Sequence, residues 1–326
     1  MTQRLVFVFF IGVWSSMTWA LPEQGDLPFS TEVREVRVIS EEEFDPAVRR
    51  LPGLVEKLQT EMLAAQSPHV LLPHRPNYFL PATWYSRPST EFLEQTINQY
   101  ADEPIEVPGS YDHLEAVIQL SLKYVIAQGL FGELNSLALA YTNKSFWQTY
   151  NTDISRPFRE TNHEPEIVLS WGLKDAWLDY LTLSLNHQSN GQTGALSRSW
   201  NRIIGETGFI VGDGIVRTRL WWRIPETSKA DPTDPKDNDN PDITHFLGLG
   251  ELHYVHLMRS HQFSLMVRNN LDTAENRGAV ELGYTFPLTR RLKGYVQYFD
   301  GYGDSLIDYN RYQQRVGLGI KLTDWF

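Results

Sequence analysis

The chain has 326 residues, no cysteine, and a formal net charge of −11 from 29 basic and 40 acidic side chains. Without cysteine there is neither a disulfide scaffold nor a thiolate zinc site, and the acidic balance tells against nucleic acid as a partner. The mean hydropathy of −0.36 fits a soluble protein and a membrane barrel alike, because half the strand residues of such a barrel are polar and line its lumen.

The first stretch, "MTQRLVFVFFIGVWSSMTWALPEQG", places Arg4 before a short apolar core, Leu5 to Trp14, and then Thr18-Trp19-Ala20. A basic start, an apolar run too short to span a bilayer and a small residue at the end predict a secretory signal over 1–20, cut after Ala20. Residues 21–109 are mixed and read as an N-terminal periplasmic arm, with an amphipathic helix possible in "EEEFDPAVRRLPGLVEKLQTEMLAAQ". No later window reaches the roughly 18 apolar residues of a membrane helix.

From about residue 110 apolar residues alternate, the period of a strand. In "IVRTRLWWRI" Val216, Thr218, Leu220, Trp222 and Ile224 share one face, opposite Arg217, Arg219, Trp221 and Arg223. "AVELGYTF" and "RVGLGIKLTDWF" repeat the pattern. Strands are expected near 114–126, 134–148, 164–173, 177–189, 197–207, 209–224, 244–257, 261–271, 277–287, 291–300 and 310–325. One more, around 301–309 or inside 244–271, would make the even number of a bacterial barrel. "PETSKADPTDPKDNDNPD" (225–242) is too rich in Pro, Asp and Asn for a strand and predicts a long loop. Aromatics are 13% of the chain and gather at strand ends (Trp221, Trp222, Tyr295, Tyr298, Phe299), as interfacial girdles would, and the last strand closes on Trp325-Phe326. The predicted fold is all-β: a twelve-stranded antiparallel transmembrane β-barrel over 110–326.

Chemistry enters at "WLDYLTLSLNHQS". Leu181, Leu183 and Leu185 share a parity, and His187 and Ser189 continue it. The apolar parity of a membrane barrel faces lipid, so His187 and Ser189 are predicted on the outer surface near the rim. Residues i and i+2 on one face lie about 6.5–7 Å apart at Cα, within reach of an imidazole acting as general base for a serine hydroxyl. In "SRSWNRI" Ser199, Asn201 and Ile203 share the outward parity, and an asparagine can orient a catalytic histidine. A neutral amide also avoids the desolvation cost of a lipid-facing carboxylate, at the expense of weaker stabilisation of the imidazolium. Gln188 points to the lumen and should tolerate substitution.

The ordered motifs "YTNKSFWQ", "SRPFRETNHEPE", "NHQSNGQTGALSRSWNR", "DNPDIT" and "GYGDSLIDYN" closely resemble outer-membrane phospholipase A of Gram-negative bacteria, over roughly 110–326. The resemblance implies an outer-membrane enzyme that needs calcium and hydrolyses sn-1 and sn-2 acyl esters of phospholipids and lysophospholipids. By position it makes Ser189 the nucleophile, His187 its base and Asn201 the orienter. It implies Ca2+ at the carbonyl of Gln192 and at Ser197, with Ser155 added by the neighbouring subunit of a homodimer, and Asp239 at a second, looser position in the monomer. The backbone N–H of Gly191 would join the cation in holding the oxyanion. Because the full calcium site needs two subunits, dimerisation would activate the enzyme. Asn143 stands where the family has a longer Gln linked to the dimer interface, and Gln192 where Arg is common.

A non-catalytic barrel, pore or structural, would explain the strands and aromatics, yet gives no reason for His187, Ser189 and Asn201 to share the lipid face. A zinc site at "LHYVHLMRSH" is weaker still, since His253 and His256 face opposite sides of a strand.

Overall fold

In a computed structural model, described for residues 69–89, 109–131, 135–172, 180–227, 238–289, 292–323 and scattered positions between 42 and 98, the chain is a closed antiparallel barrel. The predicted signal at 1–20, most of the arm before residue 69, and Trp325-Phe326 lie outside the described residues. A two-residue strand, β1 (Leu72–Pro73), precedes the barrel strands β2 (Asn77–Tyr85), β3 (Leu114–Gln128), β4 (Asn135–Trp147), β5 (Phe158–Gly172), β6 (Tyr180–Ser189) and β7 (Ser199–Val211). They continue as β8 (Gly214–Arg223), β9 (Gly250–Met258), β10 (His261–Asn269), β11 (Gly278–Pro287), β12 (Lys293–Tyr302) and β13 (Tyr312–Thr323). Each of β2 to β13 pairs with its sequence neighbour, and β13 pairs back onto β2, which closes a ring of twelve. No helix among the described residues is long and apolar enough to cross a membrane; the crossing is made by strands.

The twelfth strand is not where the sequence suggested. Residues 303–311 are loop, 243–247 are a short helix, and the missing strand is β2, inside the stretch read as arm. "NYFLPATWY" does not alternate cleanly, because Pro81 lies where the register slips between Leu80 and Thr83. A proline cannot donate to a ladder and is tolerated at such a bulge.

Outward residues are apolar: Leu181, Leu183 and Leu185 on β6, Leu220 and Trp222 on β8, Val316, Leu318 and Leu322 on β13 are all exposed. Inward residues are polar and buried, Glu115, Glu164, Glu166, Arg202, Arg217, Arg219, Gln297 and Arg315 among them. This is the reverse of a soluble protein, and it suits hydrocarbon outside. Trp222 is outward as expected for a girdle, but Trp221, Tyr295 and Phe299 are inward and buried, because adjacent positions of a strand cannot both face lipid.

The lumen is filled. Arg75, just after β1, donates to Glu164 at 2.6 Å and pairs with Glu166; Arg202 reaches Glu164 at 2.9 Å and Arg219 reaches Glu166 at 3.3 Å. At the rim where β6 ends, the β12–β13 loop folds inward. Asp304 accepts from Arg315 at 2.8 Å and Lys144 at 3.1 Å, and the Leu306 and Ile307 amides donate to Asn162 and Glu160. Leu306 and Tyr309 pack with Trp200, Ile204, Trp221, Ile243 and Leu247 into an apolar plug beside the short helix. Buried charges persist only when paired and hydrogen-bonded, and this network supplies the partners. Between its members remains a cavity of about 150 Å³.

Candidate active site

Antiparallel register sets His187 opposite Asn201 and Ser189 opposite Ser199 on β6 and β7. The two strands run together without a bulge, so the outward parity of Leu185 and Ile203 is carried to both pairs. His187 Nδ1 and Asn201 Oδ1 are 2.9 Å apart. With the amide oxygen as acceptor, Nδ1 carries the imidazole proton and Nε2 is left as an acceptor, the tautomer a general base needs. Ser189 follows two residues along on the same outward parity, half-buried like His187 and Asn201.

After Ser189 the chain turns through residues 190–198. Asn190 is buried and ties this turn to itself: its Nδ2 donates to the Leu196 carbonyl at 2.9 Å, and its Oδ1 accepts from the amides of Arg198 and Gln192 at 2.9 and 3.3 Å. Gly191 takes φ +66°, a left-handed conformation that glycine adopts without strain. Its amide therefore sits at a fixed corner immediately past Ser189.

Ser197 and Asp239, assigned by the resemblance to different calcium positions, lie side by side. Ser197 Oγ donates to Asp239 Oδ2 at 2.7 Å, and Ser199 Oγ, not singled out in the sequence, donates to the same oxygen at 3.2 Å. The 238–242 segment is held there by Arg223, which donates to the Asn240 carbonyl at 2.8 Å and Asn238 Oδ1 at 2.6 Å. Among the described residues no three His, Asp or Glu side chains gather as a metal group. What meets here is two hydroxyls and one carboxylate, hard oxygen donors of the kind calcium accepts. Ser155 stands apart, exposed in the turn after β4 with φ +63°.

Two neighbours escaped the sequence reading. His163 on β5 is the register partner of Ser189, and its Nδ1 lies 2.6 Å from the Tyr141 hydroxyl. Its outward parity could have been read from "RETNHEPE", had β5 been started at Phe158 instead of 164. Beyond Asn201, its Nδ2 donates to Glu226 Oε1 at 2.8 Å. Gln188 is lumenal as expected but engaged, its Oε1 accepting from Trp200 Nε1 at 2.8 Å and Arg202 at 3.1 Å. His253 faces inward to Glu251 at 3.0 Å, while His256 lies outward beside the Tyr254 hydroxyl, 3.3 Å away.

The family model described as Phospholipase A1 matches residues 54–322. Phospholipase A1 of Escherichia coli strain K12 is 32% identical over 323 residues, covering 94% of this chain and 98% of that protein. Phospholipase A1 of Klebsiella pneumoniae is 34% identical, covering 80% and 85%. Among solved structures, outer membrane phospholipase A from Escherichia coli superposes with a TM-score of 0.68 at 32% identity, over 79% of this chain and all of that one. The Salmonella typhi outer membrane phospholipase dimer with bound calcium gives 0.69 at 32% identity, over 80% and 95%. A matched family model over most of the chain, and a barrel shared from end to end with those structures, make this chain an outer-membrane phospholipase of the phospholipase A1 family.

Proposed function

We propose that the chain is a calcium-dependent phospholipase that cleaves sn-1 and sn-2 acyl esters of phospholipids and lysophospholipids with Ser189, His187 and Asn201, and that it works as a homodimer. The observation that carries this reading is the 2.9 Å contact between His187 and Asn201 on the lipid-facing side of β6 and β7. Only there can acyl chains lie beside the barrel while the ester reaches the rim.

His187 Nε2 takes the Ser189 hydroxyl proton as Oγ adds to the ester carbonyl carbon. The oxyanion that forms is met by the Gly191 N–H. Collapse breaks the bond to the glycerol oxygen, which receives the proton from His187 and leaves as lysolipid or, from a lysophospholipid, as the glycerophosphodiester. His187 then deprotonates water, which adds to the acyl-enzyme; fatty acid departs and Ser189 regains its proton. Asn201 holds the imidazole in the required tautomer throughout. Calcium would be held by Ser197 and the Gln192 carbonyl, with Ser155 of a second copy in the dimer, and Asp239 would hold it at a looser position in the monomer; when bound it would supply positive charge beside the oxyanion.

Three things support the finer parts. One solved relative from Escherichia coli is an asparagine-to-alanine active-site mutant, and another relative is a dimer with bound calcium. The outward parity of β4 and β5 also carries a polar strip, where Thr161 donates to Ser145 at 3.3 Å and Ser145 to Asn143 at 2.9 Å. Polar groups facing hydrocarbon are costly, and a second copy would cover them. Asn143 is shorter than the family's Gln, but its amide NH2 is available for such a contact.

The test is fatty-acid release from a phospholipid by the chain refolded in detergent micelles, with calcium or chelator, beside Ser189→Ala and chemical cross-linking. Activity that requires calcium, Ser189 and a cross-linkable dimer is expected. Activity that survives Ser189→Ala overturns the nucleophile, and activity indifferent to chelator overturns the metal.

A further inference from the structure

We propose that Glu226 is a positioning residue of this hydrolytic site, a carboxylate that fixes which end of the Asn201 amide faces His187. The inference rests on the Ser189–His187–Asn201 reading and extends it by one residue.

The placement follows from strand parity. Beyond the end of β8 the ladder continues for one more bond, in which the Ile224 amide donates to the Asn201 carbonyl at 2.8 Å. Trp222 is outward, so Ile224 and Glu226 extend the outward row and arrive beside Asn201. The Glu226 side chain is only 19% exposed. Its Oε1 accepts from Asn201 Nδ2 at 2.8 Å, and its Oε2 accepts from Arg223 at 3.3 Å.

An amide alone is an ambiguous orienter. Flipped by a half-turn it would present NH2 to His187, and the imidazole would answer with the wrong tautomer, leaving Nε2 protonated and unable to take the Ser189 proton. A carboxylate only accepts. It therefore holds Nδ2 on its own side and Oδ1 on the histidine side, so the chain of preference runs from Glu226 through Asn201 to the base. The same arrangement answers the weakness of a neutral third member. A negative group one hydrogen bond behind the amide polarises it toward the imidazolium that forms during turnover, while Arg223 and the rim position spare the carboxylate an isolated place in hydrocarbon.

A purely structural role, tethering the loop after β8, makes a different forecast. The test measures kcat and KM with calcium on micellar phospholipid, and the rate at which an alkylsulfonyl fluoride labels Ser189, for Glu226→Ala, Glu226→Asp, Asn201→Ala and the Glu226→Ala/Asn201→Ala double variant. Folding of each is checked by the gel mobility of unheated barrels. Glu226→Ala should lower kcat and the labelling rate by about ten-fold, the factor matching one ordinary hydrogen bond, with KM nearly constant. Glu226→Asp should recover most of the loss. In the Asn201→Ala background, removing Glu226 should cost nothing further, since no amide remains to orient. The same loss with and without Asn201, or no loss at all, overturns the proposal and leaves the triad intact. Labelling and turnover that persist in Ser189→Ala would instead remove the reading on which it rests.

Discussion

The two faces of β6 and β7 differ as much as two proteins might. Inward, Asn186, Gln188, Trp200 and Arg202 join a crowded lattice in which Arg202 alone donates to Asn186, Gln188 and Glu164 and lies 4.0 Å above the Trp200 ring. Outward, one residue away on each strand, His187 and Asn201 share a single file of contacts that runs through Glu226 to Arg223. On the proposed reading the inner face carries stability and the outer face chemistry, and the two-residue period lets one strand serve both without compromise. An enzyme whose substrate is lipid has little other choice, because the fold's protected interior is the one place its substrate cannot reach.

Substitutions that separate the faces sharpen this contrast. Ser189→Ala should lower fatty-acid release by about 10⁶-fold, as losing a triad nucleophile does, while denaturant unfolding in detergent stays at the wild-type midpoint. Arg202→Ala should do the opposite. It leaves Glu164 short of a partner in a closed interior, a loss of roughly 3–5 kcal/mol visible in the same unfolding experiment. Chelation of calcium should slow hydrolysis by about 10²–10³-fold, the effect of removing one oxyanion-stabilising group, and calcium should restore it; a smaller loss would move the charge stabilisation onto the Gly191 amide. The mildest change is Gln188→Leu, expected to strand the Trp200 N–H at a cost of roughly 1–2 kcal/mol. Should it be silent, the inner lattice is more redundant than its geometry suggests.

Strands with a clean lipid face were legible in the sequence. On β6, β11 and β13 the outward row is largely apolar, and the boundaries fell within a few residues of those found; β8, expected from 209, begins at Gly214. Legibility failed where another force set the pattern. β5 begins six residues earlier than expected because its outward positions there, Thr161 and His163, are polar and break the apolar alternation. The break expected near Gly208 is absent. Gly208 is mid-strand, where a Cβ would meet the Val216 carbonyl oxygen at 2.8 Å, and the turn comes at Gly212 and Asp213. The outward placement of His187, Ser189 and Asn201 was readable from parity alone. Glu226 was not, since it lies in a stretch whose Pro, Asp and Asn content announces only a loop.

The seam between β2 and β13 has a consequence for how this protein comes into being. Asn77 donates to the Thr323 hydroxyl at 3.1 Å through its backbone amide, joining positions 246 apart in sequence. Every other neighbouring pair is a local hairpin or a modest loop, able to zip as the chain emerges, whereas this one must wait for both ends to meet. Pairings so distant in sequence are slow to form, and until they do the sheet presents two raw edges able to capture other strands. Closure of the seam is thus the last pairing to form, and the last strand made is the one that renders the first strand safe.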